Sequence, residues 1–390
     1  MSENAAMSAF VVHPNPAAEE ITRLVKLLRS LGQQVALVPR LSDLPENPAY
    51  VAGRRNLVLV ADTEPGADSS EMVIGFASAE SPRAYVIYIA DALSADAYKR
   101  LIRTGTGEWV NWQGLDRELP ELLRRVGDGE TERPDAVGSI VSFLPSKGGV
   151  GNTTLSLEVA TALISRKRKG RGIAVVDLNF QSSTLADYLD VEPRLEISEI
   201  MGRPDRLDQQ LIELFASRHR SGLDIFSAPP RLIDYELFNS QAIFSLLDQV
   251  SRRYDLVILD LPSFWFPWID NVITGSDAVV ITGGCNVPSV RQLAHRVRHL
   301  DDIAVPAERV AVVINQCEAT LLGRIPRTSE IGKSFAGRHV MFVRRNTKLA
   351  AESADTGRPM MQASAPRGIR ADLKRLRDWV EKATSRSRLG

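Results

Sequence analysis

Short apolar runs separated by amphipathic stretches recur along the whole chain, and this alternation narrows the fold more than any other feature. AFVVHP (9–14), QVALVP, NLVLVAD (56–62) and AYVIYIAD (84–91) read as buried strands. Behind the first lies AAEEITRLVKLLRSLG, in which Ile21, Leu24, Val25, Leu28 and Leu31 recur at helical spacing and Gly32 supplies a stop. SADAYKRLIRTG reads as a helix, GEWVNW as a fifth strand and LDRELPELLRRVG as a closing helix. Strands that are apolar on both faces and alternate with helices pair in parallel, because each crossover needs a covering element. A flavodoxin-like domain is expected over 1–127.

The stretch 126–137 is polar and carries Gly and Pro, so 128–137 is the expected linker. A second alternation follows over 138–390. SIVSFLPS (139–146), GIAVVDLN (172–179), LDIFSAP (223–229), YDLVILDLP (254–262), DAVVITGG (277–284), RVAVVINQ (309–316) and HVMFVRR (339–345) read as strands. TTLSLEVATALISRK, SQAIFSLLDQVSRR and IRADLKRLRDWVEKA (369–383) read as helices, and 192–250 as mostly helical with loops. The expected fold class is α/β, with two doubly wound parallel-sheet domains. A length of 390 residues agrees with two domains.

Formal net charge is zero, so contact with nucleic acid or membrane would need a local patch. The two cysteines, Cys285 and Cys317, form neither a disulfide framework nor a zinc spacing, which fits a reducing compartment. MSENAAMSAF lacks a basic region and an apolar core, so no signal peptide is expected. No run approaches the ~20 apolar residues of a membrane span. A cytoplasmic protein, at most peripheral to a membrane, is the expectation.

The chemistry concentrates in Ser146-Lys147-Gly148-Gly149-Val150-Gly151-Asn152-Thr153-Thr154, which follows a strand and opens a helix. Backbone N–H groups in such a loop cradle phosphate oxygens, with the helix N-terminus behind them. Glycines keep Cβ atoms out of the bend, and Thr153 stands where a hydroxyl could bind Mg²⁺. An ordinary phosphate loop ends Gly-Lys-Ser/Thr. Here Asn152 holds the lysine position, so a charged contact to the β- and γ-phosphates is missing.

Lys147-Gly148-Gly149-Val150-Gly151 resembles the deviant Walker A motif of the ParA/MinD ATPases. The resemblance covers about 138–385. It implies a dimer in which Lys147 reaches the partner's nucleotide, with ATP and Mg²⁺ as cofactors. Asp177, in Val175-Val176-Asp177-Leu178-Asn179, matches the carboxylate that orients the attacking water; Asn179 stands where the family often has a second Asp. Asp260, ending Leu256-Val257-Ile258-Leu259-Asp260, matches Walker B and would hold Mg²⁺ through water together with Thr153. Asn315, ending Val312-Val313-Ile314-Asn315, resembles the residue that binds the adenine edge. Asn152 departs from the family, which implies weak or absent hydrolysis.

The N-terminal domain looks like a response-regulator receiver. Asp62 matches the phosphoacceptor place. His13-Pro14 replaces the acidic metal ligands, and Asn111-Trp112 stands where a lysine is expected. Phosphotransfer is therefore not expected, and a docking or targeting role is. A degenerate receiver fused to an irregular ParA/MinD domain resembles the CpaE/TadZ group of pilus-assembly proteins. That implies a localisation factor at the cell pole or the inner face of the inner membrane. Its partners would be the Flp-type (Tad) pilus or secretion machinery, including the motor ATPase. An active ATPase of the partition or septum-placement class is the alternative. Specific nucleic-acid binding is not expected.

Three segments could carry interactions. Phe264-Trp265-Phe266-Pro267-Trp268 is an aromatic cluster that is either a hot spot or packed on its own helices. Arg166-Lys167-Arg168-Lys169-Gly170-Arg171 is a basic run, either solvated or touching acidic lipid or DNA. The stripe Ile369, Leu373, Leu376, Val380 in the last helix either lies on a membrane or covers its own sheet.

Overall fold

The computed structural model describes residues 8–47, 50, 56–63, 69–80, 84–127, 137–166, 170–201, 207, 209–231, 240–320, 325–326, 328–362 and 365–386. Residues 128–136 of the expected linker (128–137) and Lys167–Lys169 of the basic run lie outside them. The chain divides into two compact units, Met1–Val137 and Gly138–Gly390.

In the first unit the elements run β1 (Ser8–Val12), α1 (Glu19–Ser30), β2 (Gln34–Val38), a 3-10 turn at Leu41–Glu46, β3 (Asn56–Ala61), α2 (Ser70–Glu80), β4 (Ala84–Ile89), α3 (Ala95–Arg103), β5 (Gly107–Val110) and α4 (Leu115–Gly127). The strands form one parallel sheet in the order β2-β1-β3-β4-β5. β3 and β4 are buried on both faces because successive side chains enter two different cores. Leu57, Leu59 and Ile87 join α1 and α4 on one side. Val58, Val60, Val86 and Tyr88 join α2 and α3 on the other.

The second unit runs β6 (Ser139–Pro145), α5 (Asn152–Ile164), β7 (Ile173–Asp177), α6 (Ile197–Met201), α7 (Gln209–Phe215), β8 (Ser217–Arg218), β9 (Asp224–Phe226), α8 (Ser240–Arg253), β10 (Leu256–Asp260), α9 (Pro267–Thr274), β11 (Ala278–Gly284), α10 (Val287–Asp302), β12 (Val310–Cys317), α11 (Thr328–Lys333), β13 (His339–Arg344), α12 (Thr347–Thr356) and α13 (Arg367–Arg386). Its eight-stranded sheet has the order β13-β12-β11-β6-β10-β7-β9-β8 and is parallel except for β8. β6 is central, between β10 and β11, so the loop after it opens in the middle of the sheet. Gly138 must be glycine, since a Cβ there would stand 1.9 Å from the Tyr254 carbonyl oxygen.

α13 settles the position of the C-terminal stripe. Ile369, Leu373, Leu376 and Val380 are all buried in the core shared by α5, β6 and β13, so the stripe covers its own sheet and is not a membrane-facing surface. Arg166, at the end of α5, pairs with Glu381 at 3.2 Å and Asp378 at 3.6 Å, tying these two helices together. No helix of the described residues is long and apolar enough to cross a membrane.

Candidate functional site

The loop 146–151 is held at both ends by neighbouring strands. Ser146 N donates to Thr282 O of β11 at 2.8 Å. Gly149 and Gly151 take left-handed φ values of 74° and 82°, where a side chain would be strained. A Cβ on Gly149 would meet nothing within 4 Å, and one on Gly148 only Ser263 Oγ at 3.9 Å, so this exposed part of the bend is open to solvent. The first backbone bond of the helix runs from Leu155 N to Gly151 O. Among the described residues, no backbone acceptor takes the N–H groups of Lys147, Gly148, Gly149 and Gly151. These are unpaired donors at a helix N-terminus, the arrangement that binds anions. Lys147 is exposed on the rim.

Asn152 turns inward. It is 6% exposed, and its Nδ2 donates to Phe143 O at 2.9 Å and to Asp260 Oδ1 at 2.6 Å. It therefore does not extend into the loop as the lysine of a phosphate loop would. Thr153 Oγ1 donates to Asp260 Oδ2 at 2.5 Å. Both carboxylate oxygens of Asp260 are thus engaged at the foot of α5.

Asp260 and Asp177 are register partners at the ends of β10 and β7. Both are buried. Loss of water and the charge of Asp177 push the Asp260 carboxyl up to about 7, against the pull of Thr153 and Asn152. Burial raises Asp177 as well. Asp177 Oδ1 accepts from Asn179 N at 2.9 Å, and Oδ2 from Ser183 Oγ at 2.8 Å and Leu185 N at 3.3 Å. Ser183 in turn shares a 2.6 Å hydrogen bond with Ser227. The Asp177 carboxylate holds the turn after β7.

Asn315 and Gln316 grip the loop from β12. Asn315 Nδ2 donates to Val150 O at 2.8 Å, and Gln316 Nε2 to Gly149 O at 2.9 Å. The amide of Asn315, expected at an adenine edge, is taken up by the loop's own backbone. The structure brings Asn152, Thr153 and Asp260 into contact and sets Asp177 beside Asp260 as its register partner. Gln316, Ser183 and Phe143 O belong to the site with no signal in the sequence.

These groups suit a polyphosphate with a hard divalent cation. The unpaired N–H groups and the open space at Gly148 and Gly149 would take phosphate oxygens, and the buried Ser146 Oγ, which has no partner, lies at the loop's entrance. Thr153 Oγ1 and the Asp260 carboxylate are oxygen donors of the kind Mg²⁺ takes directly or through water.

The aromatic segment is divided. Trp268 is buried, and Trp265 and Phe266 pack on the core, while Phe264 is 78% exposed. The Arg296 guanidinium lies 4.4 Å from the Trp265 ring centroid and donates to Ser263 O at 2.9 Å.

In the first unit Asp62 is likewise engaged. Tyr88 Oη donates to Oδ2 at 2.5 Å, Ser69 N to Oδ2 at 2.9 Å, and Ser69 Oγ to Oδ1 at 2.9 Å. Trp112 Nε1 donates to Asp62 O at 2.6 Å, and His13 Nε2 shares a 3.0 Å hydrogen bond with Thr63 Oγ1. Among the described residues no group of His, Cys, Asp and Glu side chains is arranged to hold a metal ion.

Residues 138–306 match the family model AAA_31, described as an AAA domain. The sporulation initiation inhibitor protein Soj of Bacillus subtilis is 24% identical over 240 residues, covering 58% of this chain and 91% of Soj. The septum site-determining protein MinD of Thermotoga maritima is 18% identical over 227 residues, covering 57% of this chain and 81% of its own. An uncharacterised Mycobacterium tuberculosis protein, Rv1708, is 26% identical over 204 residues, but only 58% of its length is covered. Among solved structures, a ParA family ATPase from Chlorobium tepidum superposes with a TM-score of 0.53 at 17% identity, over 61% of this chain and 98% of that one. The cell division ATPase MinD of Pyrococcus furiosus gives 0.51 at 15%, over 63% and 99%. Sheet order, loop geometry and these similarities agree: from Gly138 onward the chain has the α/β P-loop fold seen in the ParA and MinD structures it resembles.

Proposed function

We propose that the protein is a localisation and assembly factor of the CpaE/TadZ kind, serving a Flp-type (Tad) pilus or a related secretion machine. It acts as a ParA/MinD-like dimer that binds nucleotide with Mg²⁺ and hydrolyses it slowly or not at all. The observation that carries the reading is Asn152, which is buried against Phe143 O and Asp260 where a phosphate loop usually presents a cation. Without that charge the developing negative charge of a phosphoryl transfer loses its main counterion. The structure of MinD from Pyrococcus horikoshii in complex with Mg-ADP, a relative of the same fold, supports nucleotide as the ligand class.

The first unit supports the targeting half of the proposal. Its Asp62 oxygens are bonded to Tyr88 and Ser69, and His13 takes the place of an acidic ligand, so the unit is suited to docking rather than phosphotransfer. The competing reading is an active ATPase of the partition or septum-placement class. It is favoured by the presence together of Lys147, Thr153, Asp177 and Asp260, and by the names Soj and MinD among the relatives.

Calorimetry with ATP and Mg²⁺ on wild type and Asn152→Lys tests the proposal. The expected result is moderate or weak binding that tightens about tenfold or more with lysine, because a charge-assisted contact is regained. No gain would mean that the loop does not receive phosphates in this way. Turnover at ordinary ATPase rates, lost in Asp177→Ala, would favour the competing reading.

A further inference from the structure

The end of β12 is irregular where it meets the phosphate loop. Its pairing with β13 shifts register between Ile314 and Cys317, so Asn315 and Gln316 leave the regular ladder. Gln316 sits at φ 58°, a left-handed conformation that costs a side-chain-bearing residue roughly 1–2 kcal/mol. Glycine would remove that cost, yet the residue is a glutamine whose amide reaches Gly149 O at 2.9 Å. Its neighbour Asn315 is 8% exposed and reaches Val150 O at 2.8 Å. The fit is close: a Cβ on Gly151 would come within 2.6 Å of Asn315 Nδ2. A strained residue, a bulge and a glycine at close approach all serve the same two contacts.

We propose that Asn315 and Gln316 are positioning residues that clamp two successive carbonyls of the phosphate loop, shaping it before any ligand arrives. The carbonyls of Gly149 and Val150 are held by β12, which fixes the backbone of the bend. One N–H of the Asn315 amide is committed to Val150 O, so this side chain is tied to the loop before any base arrives. The clamp rests on the nucleotide reading only for what the loop holds; its shaping of the loop is independent of it.

Two measurements on the full-length chain test this. The first needs no nucleotide: tryptic cleavage after Lys147 in the ligand-free protein, followed by mass spectrometry. A clamped loop resists cleavage, and Gln316→Gly, which relieves the strain but deletes the amide, is expected to be cut about fivefold faster, the worth of one hydrogen bond. Thermal stability of the same variant should be unchanged or higher, which a merely structural role would not give. The second is calorimetry with Mg-ADP and Mg-GDP on wild type, Gln316→Gly and Asn315→Ala. Both affinities should fall by the same factor, about fivefold for Gln316→Gly and more for Asn315→Ala. Unchanged cleavage after Lys147 in both variants would overturn the clamp. A selective loss of ADP binding in Asn315→Ala would return that residue to base recognition. If wild type binds neither nucleotide, the nucleotide reading fails while the cleavage result still decides the clamp.

Discussion

Asp260 accepts from two donors at once, the buried Asn152 amide and the partly buried Thr153 hydroxyl. Asp260→Ala leaves one N–H of the buried Asn152 amide without an acceptor, at about 1–3 kcal/mol, turns the partly exposed Thr153 hydroxyl to water, and relieves the repulsion with Asp177. The expected net effect is a loss of roughly 1–3 kcal/mol in urea unfolding, together with loss of the Mg²⁺ dependence of nucleotide binding. Wild-type stability with Mg²⁺ dependence intact would remove Asp260 from the site. In the first unit, Asp62 is expected to stay unlabelled by acetyl phosphate, because Tyr88 and Ser69 occupy its oxygens. Labelling that vanishes in Asp62→Ala would show instead that those bonds open readily. At this scale the sequence was informative about position and silent about direction. The motif resemblance, in which Asn152 and Thr153 open a helix and Asp177 and Asp260 end strands, places these four in one site. Whether Asn152 faces the ligand or the core depends on acceptors that arrive from β6 and β10, and Gln316 owes its place to a backbone conformation that no residue pattern announces.

Strands were the readily legible elements, because a run apolar on both faces has few alternatives to the centre of a parallel sheet. Several helices escape the reading. Ser70–Glu80 is one: Met72, Val73, Ile74 and Phe76 scatter apolar groups around the axis, and Gly75 interrupts it. Val287–Asp302 is another, although Asn286 as N-cap, Pro288 in the first turn and the spacing of Leu293, Val297 and Leu300 all announce it. Ser217–Arg218 is too short to leave a pattern. α5 shows what an element adds beyond its residues. On its inner face Glu158 accepts from the backbone N–H groups of Met360 and, at 2.9 Å, Met361, joining the P-loop helix to the segment before α13. Burial pushes its carboxyl up from 4.5 to about 7, against those two bonds. A carboxyl raised on folding stabilises in its neutral form. That contribution is complete below about 4.5 and is lost as pH rises through about 7. Burial raises Asp260 and Asp177 in the same direction. Ligand-free protein should therefore become less stable in urea between pH 5 and pH 8, and Glu158→Gln should flatten the slope. Stability that climbs over this interval would contradict the assignment.

Each unit has a sheet with a core on both faces, Leu57 and Val58 marking the two sides of one, and Leu259 and Ile258 those of the other. Domains with their own cores fold alone. All the groups that shape the phosphate loop, from Phe143 to Gln316, come from the second unit. A fragment spanning 138–390 is thus expected to unfold cooperatively and to bind Mg-nucleotide within about threefold of the full chain, a difference below about 1 kcal/mol. If the first unit is the docking module, the two properties separate in the cell: the full chain tagged with a fluorescent protein should form foci, while 138–390 should be diffuse at equal abundance. A fragment that binds nucleotide and still localises would transfer the targeting role to the second unit, where Phe264 is the exposed aromatic beside the loop. A fragment that folds but loses nucleotide binding by more than about tenfold would mean that the first unit completes the site. The comparison thus decides which half of the chain addresses the protein and which half holds the ligand.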